Sequence, residues 1–91
     1  SNLLAATYAN FGEFDKAMDY AERSLAIDPD DAMLLYNVAC TYSLLGKVDD
    51  AIDCLERAVD KGFGHKEWVD HDPDLEALRG IPRFQMIARA M

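Results

Sequence analysis

Apolar side chains between residues 32 and 45 recur every three or four positions, with Leu35, Val38, Ala39, Tyr42 and Leu45 on one stripe. That is the spacing of a helix that buries one face. Asp31 stands just before the stretch, where a carboxylate accepts from the free amides of a first turn. Gly46 follows it, where a residue without a β-carbon enters the left-handed conformation that ends a helix. The pattern predicts a helix over 32–45. The same spacing returns in Ile52, Leu55, Ala58 and Val59, predicting a second helix over 50–61 with Asp49 as its cap and Gly62 as its stop. Upstream, one helix ends near Phe11 with Gly12 as terminator and another runs over 15–27. Asp28-Pro29-Asp30-Asp31 makes the turn after it, because Pro29 cannot continue a helix.

This plan is a repeat. With the chain shifted so that Leu3 falls on Asn37, positions 3–27 align without a gap on 37–61. Nine pairs are then identical: Ala5/Ala39, Thr7/Thr41, Tyr8/Tyr42, Gly12/Gly46, Asp15/Asp49, Ala17/Ala51, Asp19/Asp53, Glu22/Glu56 and Arg23/Arg57. Each unit is a helical hairpin. The alanines fall where the two helices cross closely, and the tyrosines fill the space between hairpins while a hydroxyl can still reach water. The rhythm breaks at Gly62-Phe63-Gly64-His65. Glu67-Trp68-Val69 is a short segment whose indole is expected to cover the end of the second hairpin. Asp72-Pro73 pairs a capping residue with Pro at a first helical position. It predicts a helix over 74–79 stopped by Gly80, and Pro82 opens a last helix through Phe84, Met86 and Ile87 towards Met91.

The spacing of Ala39, Tyr42, Gly46 and Ala51, preceded by Ala5, Tyr8, Gly12, Ala17 and Pro29, resembles the tetratricopeptide repeat. Leu35 stands where that family often has Trp, and Phe63 stands where the second repeat would carry its Pro. The resemblance implies an all-α fold, a right-handed superhelix of helix-turn-helix hairpins. The expected division is a single domain over 1–91: repeat 1 at about 1–30, truncated at its start, repeat 2 at about 31–62, and a capping helical hairpin over 63–91. The cap is expected because the last apolar face of a stacked array has no neighbour. Its Asp72-Pro73-Asp74-Leu75, Leu78-Arg79 and Pro82-Arg83-Phe84 are similar to endings that follow such arrays in some bacterial multidomain signalling proteins.

By the same resemblance, partner-facing positions on the concave side are Met33, Tyr36, Cys40 and Ser43 in the second repeat and Asn2, Ala6 and Ala9 in the first. Asn37 matches an Asn that can bond the backbone of a bound peptide, or brace neighbouring helices. No Lys or Arg occupies the positions that would grip a terminal carboxylate, so binding of that kind is disfavoured. The face reads as mildly apolar with an acidic rim. It implies a protein or peptide partner with apolar anchors and basic flanks, held by a scaffold or sensing module. Self-association into a homodimer is the alternative.

Charge sharpens this. Seventeen acidic residues against nine basic ones give a net charge of −8, which repels phosphate backbones and anionic membranes, and the basic residues are scattered rather than clustered. No apolar run approaches the length of a bilayer span and no leader-like segment opens the chain, so the expected location is cytoplasmic. The start at Ser1-Asn2, inside what the repeat makes a first helix, points to a piece of a longer protein.

An enzyme needs a constellation, and none assembles: no phosphate loop, nucleophile elbow or paired His-Glu motif is present, so neither catalytic residues nor cofactors are expected. His65 and His71 with Asp70, Asp72 and Asp74 across residues 65–74 superficially invite a metal-dependent enzyme. Neither helical i,i+4 spacing nor Cys pairing supports it, and a polar surface loop is the expected reading. Asp28, Asp30 and Asp31 lack the Gly and distal Glu of a calcium loop. Cys40 and Cys54 fall on helices without metal spacing and read as packing residues.

Overall fold

Helix boundaries follow the glycines and the caps. The structure, a computed structural model, describes residues 13–91. Its helices are α1 (Phe14–Ile27), α2 (Ala32–Leu44), α3 (Val48–Asp60), α4 (Lys66–His71) and α5 (Pro82–Ala90), with a 3-10 helix over Pro73–Leu78 between the last two. Among the described residues there is no strand. The helix expected to end near Phe11 lies outside them, as do Asn2, Ala6 and Ala9.

Asp31 caps α2 as its sequence position implies, its Oδ1 accepting from the Leu34 amide at 2.9 Å. Gly46, at φ 77°, reverses the chain. The Lys47 amide then donates back to the Tyr42 carbonyl at 2.9 Å, satisfying an orphan group of the last turn. Gly62 does the same at φ 105°, and the Phe63 amide reaches the Ala58 carbonyl at 2.9 Å. The third helix departs from expectation. It starts at Val48, the flanking Lys47 makes no side-chain cap, and Asp49 and Asp50 sit inside the first turn. There their charge complements the positive end of the helix dipole rather than capping a single amide.

Where one buried stripe was expected on α2, eight residues are buried: Leu35, Tyr36, Val38, Ala39, Cys40, Thr41, Tyr42 and Ser43. The helix has no charged side chain along its length, so no face of it prefers water. It is the central element, packed by α1, α3 and the 3-10 helix. Ala17, Ala39 and Ala51 are fully buried, which lets paired helices approach closely.

The tail keeps the period of the array. The offset that carries Leu3 onto Asn37 also carries the start of α2 at Ala32 onto the start of α4 at Lys66. It carries the end of α2 at Leu44 onto the end of the 3-10 helix at Leu78, and the start of α3 at Val48 onto the start of α5 at Pro82. The tail is thus a third hairpin whose first helix is broken at Asp72-Pro73. Pro73 lacks the amide that would bond the Val69 carbonyl, and its ring pushes Asp72 into extended backbone, observed at φ −70° and ψ 118°. Arg79 repairs the break. Its Nη1 donates to the Val69 carbonyl at 3.0 Å and its Nη2 to the Asp72 carbonyl at 2.9 Å, while the guanidinium lies over the Phe84 ring at 5.7 Å. Arg83 ties α5 to α3 through Asp53 at 2.7 Å and Glu56 at 3.1 Å.

Candidate functional site

Tyr36 and Cys40 are one turn apart on α2 and point the same way. The break in the third hairpin aims Asp72 at both. The Tyr36 hydroxyl donates to Asp72 Oδ2 at 2.8 Å, and the Cys40 thiol approaches the same oxygen at 3.7 Å. Asp72 Oδ1 meanwhile accepts from the Asp74 amide at 3.0 Å, so one carboxylate caps the 3-10 helix and anchors it to α2. Burial, then the neighbouring Asp72 and Asp74, pushes the Cys40 thiol up to about 12. Burial also raises the Tyr36 phenol, with Cys40 and Asp72 adding to it.

Aromatic rings extend this contact outward. Tyr36 stacks on Phe63 with centroids 4.2 Å apart and planes within 8°. Trp68 lies 5.9 Å from both rings at a tilt, and His65 stacks on Trp68 at 4.3 Å with planes within 12°. Tyr36 and Phe63 are buried, whereas Trp68 is 40% exposed. The His65 Nδ1 is 3.5 Å from Glu67 Oε1.

Of the residues expected to face a partner, Met33 is exposed, Asn37 is half-buried, and Tyr36, Cys40 and Ser43 are buried. Tyr36 and Cys40 therefore line no open hollow: Phe63, Trp68 and Asp72 of the chain's own tail cover them. Asn37 is engaged at least through its carbonyl, which accepts from Thr41 Oγ1 at 3.2 Å. Sequence reasoning expected Trp68 to cover the second hairpin, and it packs against Tyr36 there. It read Asp72 as a cap and a polar-loop residue and missed its bond to Tyr36, and it missed the stacking of Phe63 on Tyr36 and of His65 on Trp68. The available signal was the uncharged run over 32–44, which demands cover on every side.

His65 and His71 are exposed and do not converge with the acidic residues expected beside them. Ligand-type atoms gather instead at Cys40, Asp72 and Asp74, all within 4.8 Å of one another. Both Asp72 oxygens are already engaged there, Oδ2 by the Tyr36 hydroxyl and Oδ1 by the Asp74 amide. The chemistry of the set is that of a buried hydrogen-bonded anchor. Among the described residues no helix is long and apolar enough to cross a membrane.

Comparison with known proteins agrees with the repeat. The tetratricopeptide repeat family matches residues 4–81. A chloroplastic protein of Arabidopsis thaliana is 33% identical over 85 residues, covering 90% of this chain and 25% of that protein. An uncharacterised protein of Methanocaldococcus jannaschii is 29% identical over 65 residues, covering 69% of this chain and 76% of its own length. The chain thus spans about a quarter of the first of these relatives. No solved structure gives a significant match.

Proposed function

Because the chain belongs to the tetratricopeptide repeat family, whose members generally mediate protein–protein interaction, we propose that it is an interaction module for a peptide or protein segment with apolar anchors and basic flanks. One observation carries the reading: a repeat scaffold with a net charge of −8 leaves large apolar side chains exposed within that acidic surface, Met33 and Trp68 on the first-helix side of their hairpins besides Ile27 and Met86. Apolar contact supplies affinity, and the field of the acidic surface steers a basic segment and rejects an acidic one. On this reading Met33 and Asn37 contact the partner directly, and Asn2, Ala6 and Ala9 extend the face into the first repeat. Tyr36, Cys40 and Ser43 support it from beneath. No catalytic or cofactor role is assigned to any residue, and the module serves as a scaffold or sensor within whatever protein carries it.

Isothermal titration with a leucine-anchored peptide carrying arginine flanks, beside the same peptide with glutamate flanks, tests this. The basic peptide is expected to bind in the micromolar range and to weaken as salt is raised. Equal affinity for both peptides, or binding of neither, overturns it. Light scattering over a concentration series separates the homodimer: a mass that doubles with concentration would assign the exposed apolar residues to a second copy instead.

A further inference from the structure

We propose that the face of Trp68 covered by His65, bordered by the carboxylates of Glu67 and Asp70, seats an arginine side chain of the partner in place of the His65 ring. The inference rests on the reading above for the basic character of that partner, and it names the place where the charge is read.

The ring cluster is buried at its base and open at its edge. Tyr36 and Phe63 hold Trp68 from the buried side, yet 40% of Trp68 remains in water. A large aromatic ring held in place and left partly wet is the kind of residue that dominates binding energy at interfaces. His65 marks what fits there. It is a flat nitrogen heterocycle lying parallel to the indole at 4.3 Å, with a ring nitrogen 3.5 Å from a Glu67 carboxylate oxygen. A guanidinium is also flat, stacks on aromatic faces, and pairs with carboxylates in the ring plane through two donors rather than one. His65 is thus an internal stand-in for the arginine.

The stand-in can leave. His65 is tied to α4 through its carbonyl, which accepts from the Trp68 and Val69 amides at 3.0 and 3.3 Å. Its side chain is exposed, so the ring can turn off the indole about its own side-chain torsions while that backbone cap stays in place. The local charge favours the exchange. Glu67 and Asp70 are both exposed on α4. The cation beside them, Lys66, is shared: its Nζ is 3.4 Å from Asp70 but donates at 2.6 Å to the Ala88 carbonyl. The repeat period places Glu67 at the position that the exposed Met33 holds on α2, so this carboxylate continues the face that begins there.

Trp68 is the chain's one tryptophan, so its fluorescence reports this corner directly. The probe is the leucine-anchored peptide in three forms, with arginine, lysine or citrulline flanks. Citrulline keeps the planar shape and removes the charge. The arginine peptide is expected to shift the Trp68 emission and to bind about threefold to tenfold tighter than the citrulline peptide, with lysine between them. By calorimetry, Trp68→Leu and the double variant Glu67→Gln/Asp70→Asn are each expected to weaken arginine-peptide binding by about fivefold. His65→Ala, which uncovers the indole, is expected to strengthen it. Peptide binding that leaves Trp68 emission unchanged and is indifferent to all these variants overturns the inference while leaving the interaction module standing. Failure of every peptide to bind overturns both. Circular dichroism of each variant confirms that a changed affinity is not lost folding.

Discussion

Asp72 is the residue on which the tail's attachment turns. Its two oxygens serve different levels of structure: Oδ1 takes the Asp74 amide, a local bond that any Asp-Pro helix start makes legible, and Oδ2 takes the Tyr36 hydroxyl, which is distant in the chain and leaves no trace in local pattern. Asp72→Ala strands a buried phenol without its acceptor, an effect of about 2–3 kcal/mol. Urea unfolding is expected to show that loss, and Asp72→Asn, whose amide oxygen still accepts, a smaller one. Cys40 gives a second test. Its thiol is raised from an ordinary value of 9.0 to about 12 in the folded chain, so the folded state keeps its proton where the unfolded chain gives it up. The stability this lends is whole below pH 9 and is lost as pH rises from there through about 12. Melting temperatures across that window are expected to fall less steeply in Cys40→Ala than in the parent chain. An identical slope in both would show that Cys40 does not carry the linkage.

Elements were legible wherever a local signal both starts and stops them. The Asp31 cap and Gly46 bracket α2 to within a residue of expectation, because both act on the turn beside them. The third helix starts two residues early because acidic side chains favour a first turn as readily as a cap, and pattern alone does not separate the two. The third hairpin was harder to read. Its first helix is split into α4 and a 3-10 helix, and Arg79, an exposed-looking cation in sequence, turns inward to the Val69 and Asp72 carbonyls. Arg79→Met removes both bonds, and the Val69 carbonyl then has neither the amide that Pro73 lacks nor a side chain. The expected cost is about 2 kcal/mol. Arg83→Met removes only exposed ion pairs to Asp53 and Glu56 and is expected to shift the unfolding midpoint little, the more so at high salt. Ala39→Leu wedges α2 away from its neighbours, an overpacking expected to cost about 1–3 kcal/mol. Equal midpoints for the Arg79 and Arg83 variants would show that the repair of the helix break is not structural.

At the scale of the whole molecule, period and charge were readable because each is a property of many residues at once. That the tail covers the second hairpin was readable from the end of the repeat; the anchor that holds it was not, since it depends on one proline directing one carboxylate to Tyr36. The chain's own tail covers Tyr36 and Cys40 on α2, and on the proposed reading the partner is met instead at Met33 and the ring corner on α4. That cover also means the second hairpin does not finish its own core. Tyr36 and Leu35 are both fully buried, and with no charged side chain on α2 any cover removed from that helix exposes apolar surface directly to water. Stacked repeats draw their stability from interfaces between neighbours as much as from within each unit. A chain ended after Lys61 is therefore expected to lose cooperative unfolding and to bind a hydrophobic dye at temperatures where the full chain does not. If the shortened chain instead melts as sharply and as high as the full one, the tail only rests on α2, and the ring corner has no rigid base from which to hold an arginine.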